Sequence, residues 1–179
     1  MTFIAWLLAT GALALACGFH YDFARDRKAG TQIIREGSFE LETTVDKALL
    51  LFTPEGEREW VQGFAPQPGY PEGKRVEFQT NAVFRLDDSQ EQSIWTIVEA
   101  NVKDHVAEYV YVYVVEGQRL SRVRVQIEPV TGSRCRVHVH YVHTAITERG
   151  VPFLATVTQE AYAQKMRDWQ RILTAAIRR

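Results

Sequence analysis

Alternating hydrophobic and polar residues run through the middle of the chain and predict β-strands. A strand with one buried face alternates apolar and polar side chains. Five segments between Val76 and Thr147 show this pattern: VEFQTNAVFRL, SIWTIVEA, HVAEYVYVYVV, RLSRVRVQIE and SRCRVHVHYVHTAIT. Short turn sequences containing Asp, Gly or Ser separate several of them, which favours an antiparallel meander. A further strand, SFELETTV at 38–45, precedes this series.

Three other segments have the features of helices. The apolar run DKALLLF occupies 46–52. Thr53-Pro54 begins a second short helix, because threonine caps helix N-termini well and proline is tolerated in the first turn. From about Pro152 to Ile177, helical spacing of apolar residues predicts one long amphipathic helix. The apolar residues are Leu154, Val157, Ala161, Trp169, Leu173 and Ile177.

These elements predict an α+β fold in which a long helix covers one face of a sheet. A sheet that is hydrophobic on one face must bury that face, and the C-terminal helix is the only predicted element large enough to do so. We therefore expect a curved antiparallel sheet of about six strands wrapped around this helix. Two short helices follow the first strand.

The N-terminus predicts an additional apolar helix. Residues 3–19, FIAWLLATGALALACGF, carry no charge and are close to the minimum length of a membrane-spanning helix. Arg25, Arg27 and Lys28 follow this segment. Basic residues in this position keep the following domain cytoplasmic on an uncleaved anchor. The chain is thus divided into an anchor or signal segment at 1–19, a linker at 20–35 and one domain at 36–179.

Two alternatives to the anchor remain open. The triplet Ala14-Leu15-Ala16 fits the small-x-small rule for signal-peptide cleavage, and Cys17 follows it as in a lipoprotein signal. Cleavage or lipidation there predicts a secreted or periplasmic domain. A misassigned start of the chain is the other alternative.

The inner face of the sheet follows from the register of two hairpins. Gly117-Gln118 suits a two-residue turn that pairs Glu116 with Arg119. The next hairpin is taken to pair Ile127 with Cys135. The residues then predicted to line the inner face are Trp95, Val110, Val112, Val123, Val125, Val137, Val139 and Tyr141, with Glu108 at the rim.

This inner face predicts either an apolar cavity or a filled core. Its residues are mostly small and β-branched for the surface that they must cover, so a curved sheet and one helix can enclose a ligand cavity. Bulky side chains that fill the space are the alternative. Glu99 and Glu108 share the inner parity. Burial of either carboxyl group would raise its pKa and suit it to acid chemistry, whereas a rim position would leave it solvated.

The outer face of the same strands carries arginine and histidine. The predicted register forms two rows, Tyr111–Arg124–His138 and Tyr113–Arg122–His140. His138 and His140 have the spacing of a metal-ligand pair, but the neighbouring arginines oppose a cation and His143 points to the other face. No metal site is therefore predicted. Two interpretations remain: a solvated face with arginine stacked on tyrosine, or a patch that attracts anionic lipid or a protein partner.

Composition excludes several classes of protein. The formal net charge is −1, whereas nucleic-acid-binding domains are usually strongly basic. Two cysteines, Cys17 and Cys135, do not suggest a disulfide framework. The sequence has no ordered Ser/His/Asp set and no glycine-rich phosphate loop. We therefore predict no cofactor and assign no catalytic residue.

The segment from Phe39 to Pro71 resembles the SRPBCC superfamily of START-like, helix-grip proteins. This group includes the birch pollen allergen, polyketide cyclases and lipid-transfer domains, and members often combine a TP-x-GE-x-x-W turn with a P-x-x-YP loop. The corresponding residues here are Thr53, Pro54, Gly56, Glu57, Trp60, Pro68, Tyr70 and Pro71, with Pro68 one residue closer to Tyr70 than in the loop pattern. The resemblance extends over about 36–178 and implies a deep apolar pocket between sheet and last helix. Trp60 and Tyr70 are expected to pack at the corner between helix and loop.

The resemblance does not imply one activity, so three functions remain open. The first is non-catalytic binding of a lipid- or quinone-like molecule between the sheet and the C-terminal helix, at a membrane. The second is a cofactor-independent cyclase or dehydratase that uses Glu99, Glu108, Tyr141 or His143 as acid or base. The third is docking of a protein or an anionic surface on the Tyr–Arg–His face. The sequence has no iron–sulfur Cys/His pairing, so a Rieske-type oxygenase half is excluded.

Overall fold

The computed structural model describes residues 31–70, 79–87 and 91–178. The predicted apolar helix at 1–19 lies outside these residues, so the anchor and its alternatives stay predictions. No helix within the described ranges has the length and hydropathy needed to cross a membrane.

The described strands form one antiparallel sheet in the order β1-β7-β6-β5-β4-β3-β2. Their bounds are Gln32–Leu41 (β1), Gln67–Tyr70 (β2), Val83–Asp87 (β3), Gln92–Lys103 (β4), Val106–Val115 (β5), Arg119–Thr131 (β6) and Arg134–Ala145 (β7). Strands β3 to β7 form the predicted meander, and β1 pairs with β7 at the edge. The seventh strand is β2, which lies in a Gly/Pro-rich loop where composition indicates no strand. β1 begins within the predicted linker.

Two short helices follow β1, and the remaining helices follow β7. Their bounds are Val45–Leu51 (α1), Pro54–Glu57 (α2), a 3-10 turn at Glu148–Gly150, Val151–Thr156 (α3) and Gln159–Ile177 (α4). The single helix predicted from Pro152 to Ile177 is therefore interrupted. Val157 leaves the helical region at φ −87° and ψ 63°, and the Thr158 side chain caps α4 by accepting from the backbone N–H of Ala161.

Helix α4 packs closely against β1. A Cβ atom added at Gly37 would lie 2.8 Å from Met166 Cγ, so glycine permits this approach. The Tyr162 hydroxyl donates to the carbonyl of Val139 at 2.9 Å, and the Gln170 amide donates to the carbonyl of Glu40 at 3.1 Å. These contacts hold α4 across the inner face of the sheet, as a helix-grip fold requires.

The β5–β6 hairpin differs from the predicted register by one residue. Val115 pairs with Arg119, and the turn contains three residues, with Gly117 at φ +63°. A shift by one residue exchanges the two faces of a strand. The prediction that Val110 and Val112 face inward is therefore wrong.

Strand β5 instead turns its tyrosines toward the core. Tyr109, Tyr111 and Tyr113 are buried in the core, and each pairs with an inward residue of β6. Three aromatic rings bury more apolar surface than three valines, so this register is favoured by the hydrophobic effect. The aromatic side chains also explain why the space is partly filled.

The β6–β7 hairpin differs from the predicted register by two residues, which preserves the faces. Ile127 pairs with Val137 instead of Cys135. The inward orientation predicted for β6 and β7 is confirmed by the burial of Val123, Val125, Val137, Val139 and Tyr141.

Candidate functional site

A cavity between the inner face of the sheet and α4 is divided into two lobes that open to solvent. The glutamate lobe, named after Glu57, has a volume of about 230 Å³. The arginine lobe, named after Arg119, has a volume of about 340 Å³. Small-molecule sites occupy ~300–1,000 Å³. The arginine lobe lies at the lower end of this range and the glutamate lobe below it, so the two lobes suit only small ligands.

Both lobes have mainly aromatic and apolar walls. The glutamate lobe is lined by Glu57, Val61, Phe64, Leu86, Trp95, Tyr111, Val123, Val125, Tyr141, Lys165 and Trp169. The arginine lobe is lined by Trp95, Tyr113, Arg119, Tyr141, His143, Phe153, Thr156, Val157, Ala161, Tyr162 and Lys165. Trp95, Tyr141 and Lys165 line both lobes and therefore stand between them.

The TPEGE turn positions Glu57 in the cavity wall. Thr53 Oγ1 accepts from the backbone N–H of Gly56 at 3.1 Å and donates to the carbonyl of Leu50 at 2.8 Å. A Cβ atom at Gly56 would lie 1.9 Å from the Leu50 carbonyl oxygen, which leaves no room for a side chain. The turn therefore fixes α2 against the end of α1 and directs Glu57 toward the sheet.

Trp60 completes this corner and does not line either lobe. Its indole N–H donates to the carbonyl of Leu51 at 2.7 Å, and its ring packs edge-on against Phe52 and Trp169. The prediction that Trp60 packs at the corner is confirmed. Tyr70 is 58% exposed on β2 and does not line the cavity.

Glu57 is the acidic side chain and Lys165 the basic side chain that line the glutamate lobe. Burial raises the pKa of Glu57 to about 8, and the Lys165 ammonium group opposes this rise. Burial lowers the pKa of Lys165 to about 8, and the Glu57 carboxylate opposes this fall. In the part of the chain that the structure describes, neither side chain has an ion-pair partner within 4.0 Å.

Lys165 lies between the two lobes. The residue as a whole is exposed, yet its ammonium group is surrounded by aromatic side chains. Nζ lies 4.4 Å from the ring centroid of Tyr141 and 4.9 Å from that of Trp169, and it donates to the Tyr141 hydroxyl at 3.4 Å. The amine is therefore accessible from solvent while most of its own surroundings are apolar.

A buried arginine forms one wall of the arginine lobe. Only 3% of Arg119 is exposed, its guanidinium carbon lies 3.7 Å from the ring centroid of Phe153, and Glu91 forms an ion pair with it. Within the described residues, its Nε has no hydrogen-bond partner. The ion pair with Glu91 compensates the charge of this guanidinium, in contrast to Lys165.

His143 is a neutral member of the same wall. Burial lowers its pKa to about 4, and nearby cations act in the same direction. Its Nδ1 lies 2.7 Å from Ser121 Oγ. Ser121 is completely buried and does not line either lobe, so this pair does not present a serine nucleophile to a ligand.

The structure brings some of the predicted ligand-lining residues into the cavity and leaves others out. Trp95, Val123, Val125 and Tyr141 line it, as expected. Val137 and Val139 are buried in the core but line neither lobe. Val110, Val112 and Glu108 lie on the opposite face of the sheet, where Val110 is nevertheless fully buried. The inward placement of Glu108 was wrong because the hairpin contains one more turn residue than predicted.

The outer face is a ladder of paired charges. Glu108 binds Arg124 at 2.5 Å, and Glu99 lies 3.8 Å from Arg122. His138 lies 3.1 Å from Glu128. The predicted Tyr–Arg–His rows are wrong, because Tyr111 and Tyr113 face inward and Arg124 pairs with His140. The described residues contain no group of three potential metal ligands.

Sequence reasoning did not assign Glu57, Lys165 or Arg119 to the site. Glu57 stands within the turn motif that carried the family resemblance, and this was its only signal. Lys165 lies between Tyr162 and Trp169 on α4, at spacings of three and four residues, so it interrupts an otherwise apolar helical stripe. Arg119 follows a turn and has no signal of burial.

Comparison with known proteins identifies the fold. Solved structures of the same fold include a hypothetical protein of Helicobacter pylori (8% identity, 77% of this chain and 88% of that chain, TM-score 0.59). Norcoclaurine synthase of Thalictrum flavum (6%, 80% and 87%, TM-score 0.55) and a START superfamily protein of Mycobacterium smegmatis (7%, 81% and 97%, TM-score 0.54) are also similar. No model of a protein family and no curated protein matches the chain. The predicted START-like, helix-grip fold is confirmed.

Proposed function

We propose that the protein binds a small, mainly aromatic molecule in the cavity between the sheet and α4. The observation that carries this proposal is the aromatic wall around the glutamate lobe, formed by Trp95, Tyr111, Tyr141 and Trp169. Aromatic rings stack favourably against such walls. The START-like fold often binds hydrophobic ligands, and a norcoclaurine synthase of this fold was solved in complex with dopamine and hydroxybenzaldehyde.

The volumes of the two lobes narrow the expected ligand class. At about 230 Å³ and 340 Å³, they favour one or two aromatic rings over a two-chain lipid. A quinone ring fits this range, in agreement with the quinone-like ligand expected from the sequence. Polar groups at Glu57 and Lys165 then supply orientation, as the few polar groups of an apolar pocket usually do.

Binding of the fluorescent aromatic anion 1-anilinonaphthalene-8-sulfonate tests this proposal. Val61→Trp places an indole in the glutamate lobe, and we expect at least a tenfold loss of affinity, about 1.4 kcal/mol. Val102→Trp is the matched control, because Val102 is 51% exposed on β4 and lines neither lobe. Equal binding by the two variants would place the dye elsewhere and refute a ligand site in this cavity.

The tether to a membrane stays part of the proposal through the predicted anchor at 1–19. An apolar ligand partitions into a bilayer, so an anchored domain would have direct access to it. Fractionation of cells that express the full chain, against a version that begins at residue 31, tests the anchor. Equal recovery of the two proteins in the soluble fraction would contradict it.

Acid–base catalysis is the second candidate, and the Glu57–Lys165 pair favours it. Groups whose pKa values lie near the working pH are the most effective general acids and bases. The sequence suggested Glu99 and Glu108 as the acid or base, but neither lines the cavity. Glu57 and Lys165 are therefore the candidates. Tyr141 and His143, which the sequence also suggested, do line the cavity.

Hydrogen–deuterium exchange of phenylacetone in D₂O, followed by NMR, tests the catalytic candidate. An enzyme that removes a proton next to a carbonyl group accelerates exchange over buffer, and Glu57→Gln abolishes the acceleration. Exchange at the buffer rate with the unchanged protein would leave binding as the function.

A further inference from the structure

Lys165 differs from the other lysines of the described chain in its surroundings. Its Nζ lies over the rings of Tyr141 and Trp169 at the wall between the two lobes. Lys47 and Lys103 are exposed on α1 and β4 and line neither lobe. Burial makes this amine lose its proton more readily than an amine in water, although the faces of the two rings favour the charged form, and the neutral amine is the nucleophile.

The groups around Lys165 support nucleophilic use of this amine. Glu57 faces it from α2, Tyr141 and His143 face it from β7, and Arg119 faces it from β6. Glu57 favours the positive charge of Lys165, the Arg119 guanidinium is paired with Glu91, and His143 is neutral. Burial lowers the pKa of Lys165 to about 8 despite Glu57, so a measurable fraction of the amine is neutral at physiological pH.

One proton donor lies beside Nζ and a second lines the same lobe. The Tyr141 hydroxyl is 3.4 Å from Nζ. The Glu57 carboxyl faces the same lobe and keeps its proton at neutral pH, because burial raises its pKa to about 8. Loss of water from a carbinolamine requires such a donor.

We propose that Lys165 captures the carbonyl group of an aromatic aldehyde or ketone as an imine. This deepens the ligand-binding function proposed above and rests on it. The Nζ lone pair forms a bond to the carbonyl carbon, the π electrons move to oxygen, and proton transfer gives a carbinolamine. The carbinolamine C–O bond then breaks as the oxygen takes a proton from Tyr141 or Glu57 and departs as water. The nitrogen lone pair forms the C=N bond of an iminium ion, which returns its N–H proton to the deprotonated donor to give the imine, and no oxidant or reductant is required.

The glutamate lobe suits the aromatic ring of such a ligand, and its boundary with the arginine lobe suits the carbonyl group. The ring stacks in the glutamate lobe, which Trp95 and Trp169 both line, and the carbonyl carbon then reaches Nζ at the boundary. Lysines desolvated in hydrophobic pockets are the amines that enzymes use to form imines with carbonyl compounds. This geometry selects an aromatic carbonyl compound over a simple aliphatic aldehyde.

Reductive trapping with benzaldehyde tests the proposal in the full chain. Sodium cyanoborohydride converts an imine into a stable secondary amine, and peptide mapping by mass spectrometry locates the added benzyl group. We expect Lys165 to be labelled about tenfold faster than Lys47 and Lys103 within the same molecules, because its neutral amine is more abundant and the aromatic walls hold the benzaldehyde ring beside it. Labelling of Lys165 should also rise between about pH 6 and about pH 8.

Two variants sharpen this experiment. Lys165→Arg keeps a cation over the rings but cannot form an imine, so benzyl transfer at this position is lost; Lys103→Arg is the matched control and leaves labelling of Lys165 unchanged. Acetaldehyde in place of benzaldehyde should label the three lysines at more similar rates. Equal labelling of Lys165, Lys47 and Lys103 by benzaldehyde overturns the proposal.

Dye binding separates this inference from the function on which it rests. If 1-anilinonaphthalene-8-sulfonate binds in the cavity and Lys165 is not preferentially labelled, the ligand site stands and the imine is refuted. If the dye does not bind in the cavity and Lys165 is not preferentially labelled, the two proposals fall together. Preferential labelling without dye binding would support a reactive amine and refute a site large enough for the dye.

Discussion

The inner and outer faces of the sheet use charged residues in opposite ways. On the outer face, Glu108 and Arg124 lie 2.5 Å apart, and nearly half of the arginine side chain is exposed. On the inner side, Glu57 and Lys165 face the same lobe without an ion pair within 4.0 Å. An ion pair in contact with solvent, such as Glu108–Arg124, adds little to the stability of the fold. Burial of Glu57 and Lys165 without an ion pair moves the pKa values of both groups toward neutral pH. Chemistry is therefore expected on the inner side.

The largest expected difference between the faces concerns adjacent residues of β5. Tyr111→Ala removes a buried ring that contacts Trp95 and Phe84 and donates to the carbonyl of Phe52, so we expect a loss of about 3–5 kcal/mol in the free energy of unfolding. Val112→Ala, on the outer face, should cost about 1 kcal/mol. Urea denaturation of the two variants measures this. A larger loss for Val112→Ala than for Tyr111→Ala would indicate the register predicted from the two-residue turn.

The next effect concerns the turn that presents Glu57 to the inner face. Gly56→Ala forces a Cβ atom to within 1.9 Å of the Leu50 carbonyl oxygen, and we expect a loss of about 3 kcal/mol. Gly132→Ala in the β6–β7 turn is the control, because a Cβ atom there meets nothing within 4 Å. A change in urea midpoint that is as small for Gly56→Ala as for the control would contradict the steric role of Gly56.

The pKa shifts of Glu57 and Lys165 predict that the free energy of unfolding has a minimum near pH 8. Glu57 keeps its proton in the folded state up to about pH 8 but loses it near its ordinary pKa when unfolded, so stability falls as pH rises between these values. Lys165 loses its proton at about 8 when folded but only near 10.4 when unfolded, so stability rises again above pH 8.

Single substitutions separate the two limbs of this curve. Glu57→Gln should remove the fall below pH 8, and Lys165→Met should remove the rise above it. After allowance for solvent near the open lobes, we expect each limb to span about 1–2 kcal/mol. Thermal unfolding across pH measures these limbs, and a curve that is unchanged in Glu57→Gln would show that this carboxyl group is solvated like those outside.

The smallest expected effect is loss of an outer ion pair. Arg124→Gln breaks the contact with Glu108 and should lower the free energy of unfolding by less than about 1 kcal/mol. High salt screens exposed charges, so the difference from the unchanged protein should shrink as sodium chloride is added. A large difference that persists in high salt would mean that the outer ladder contributes to stability like a buried network.

The sequence predicted the inner faces of β6 and β7 because polar residues mark their alternation unambiguously. Arg122 and Arg124 separate inward valines on β6, and His138 and His140 do so on β7. Strand β5 alternates tyrosine with valine, which are both hydrophobic, so only the length of the turn decided its orientation. One extra turn residue then reversed the strand.

The candidate site was less predictable because long-range contacts form it. Glu57 and Lys165 are far apart in the chain, and no spacing rule relates α2 to α4. Their pKa shifts depend on burial, which local patterns do not measure. The break at Val157 was also missed, because a helical stripe of apolar residues continues across it while Thr158 provides a competing cap.

The steric role of Gly56 has a consequence for how this site can change. A bulkier residue at 56 collides with the backbone of the preceding helix, so variants that would displace Glu57 through this turn are first selected against as poorly folded proteins. The position of the Glu57 carboxyl group is thus fixed by close packing that the fold itself requires. Substitutions among the aromatic residues of the cavity can therefore change which ligand is preferred while Glu57 keeps its position.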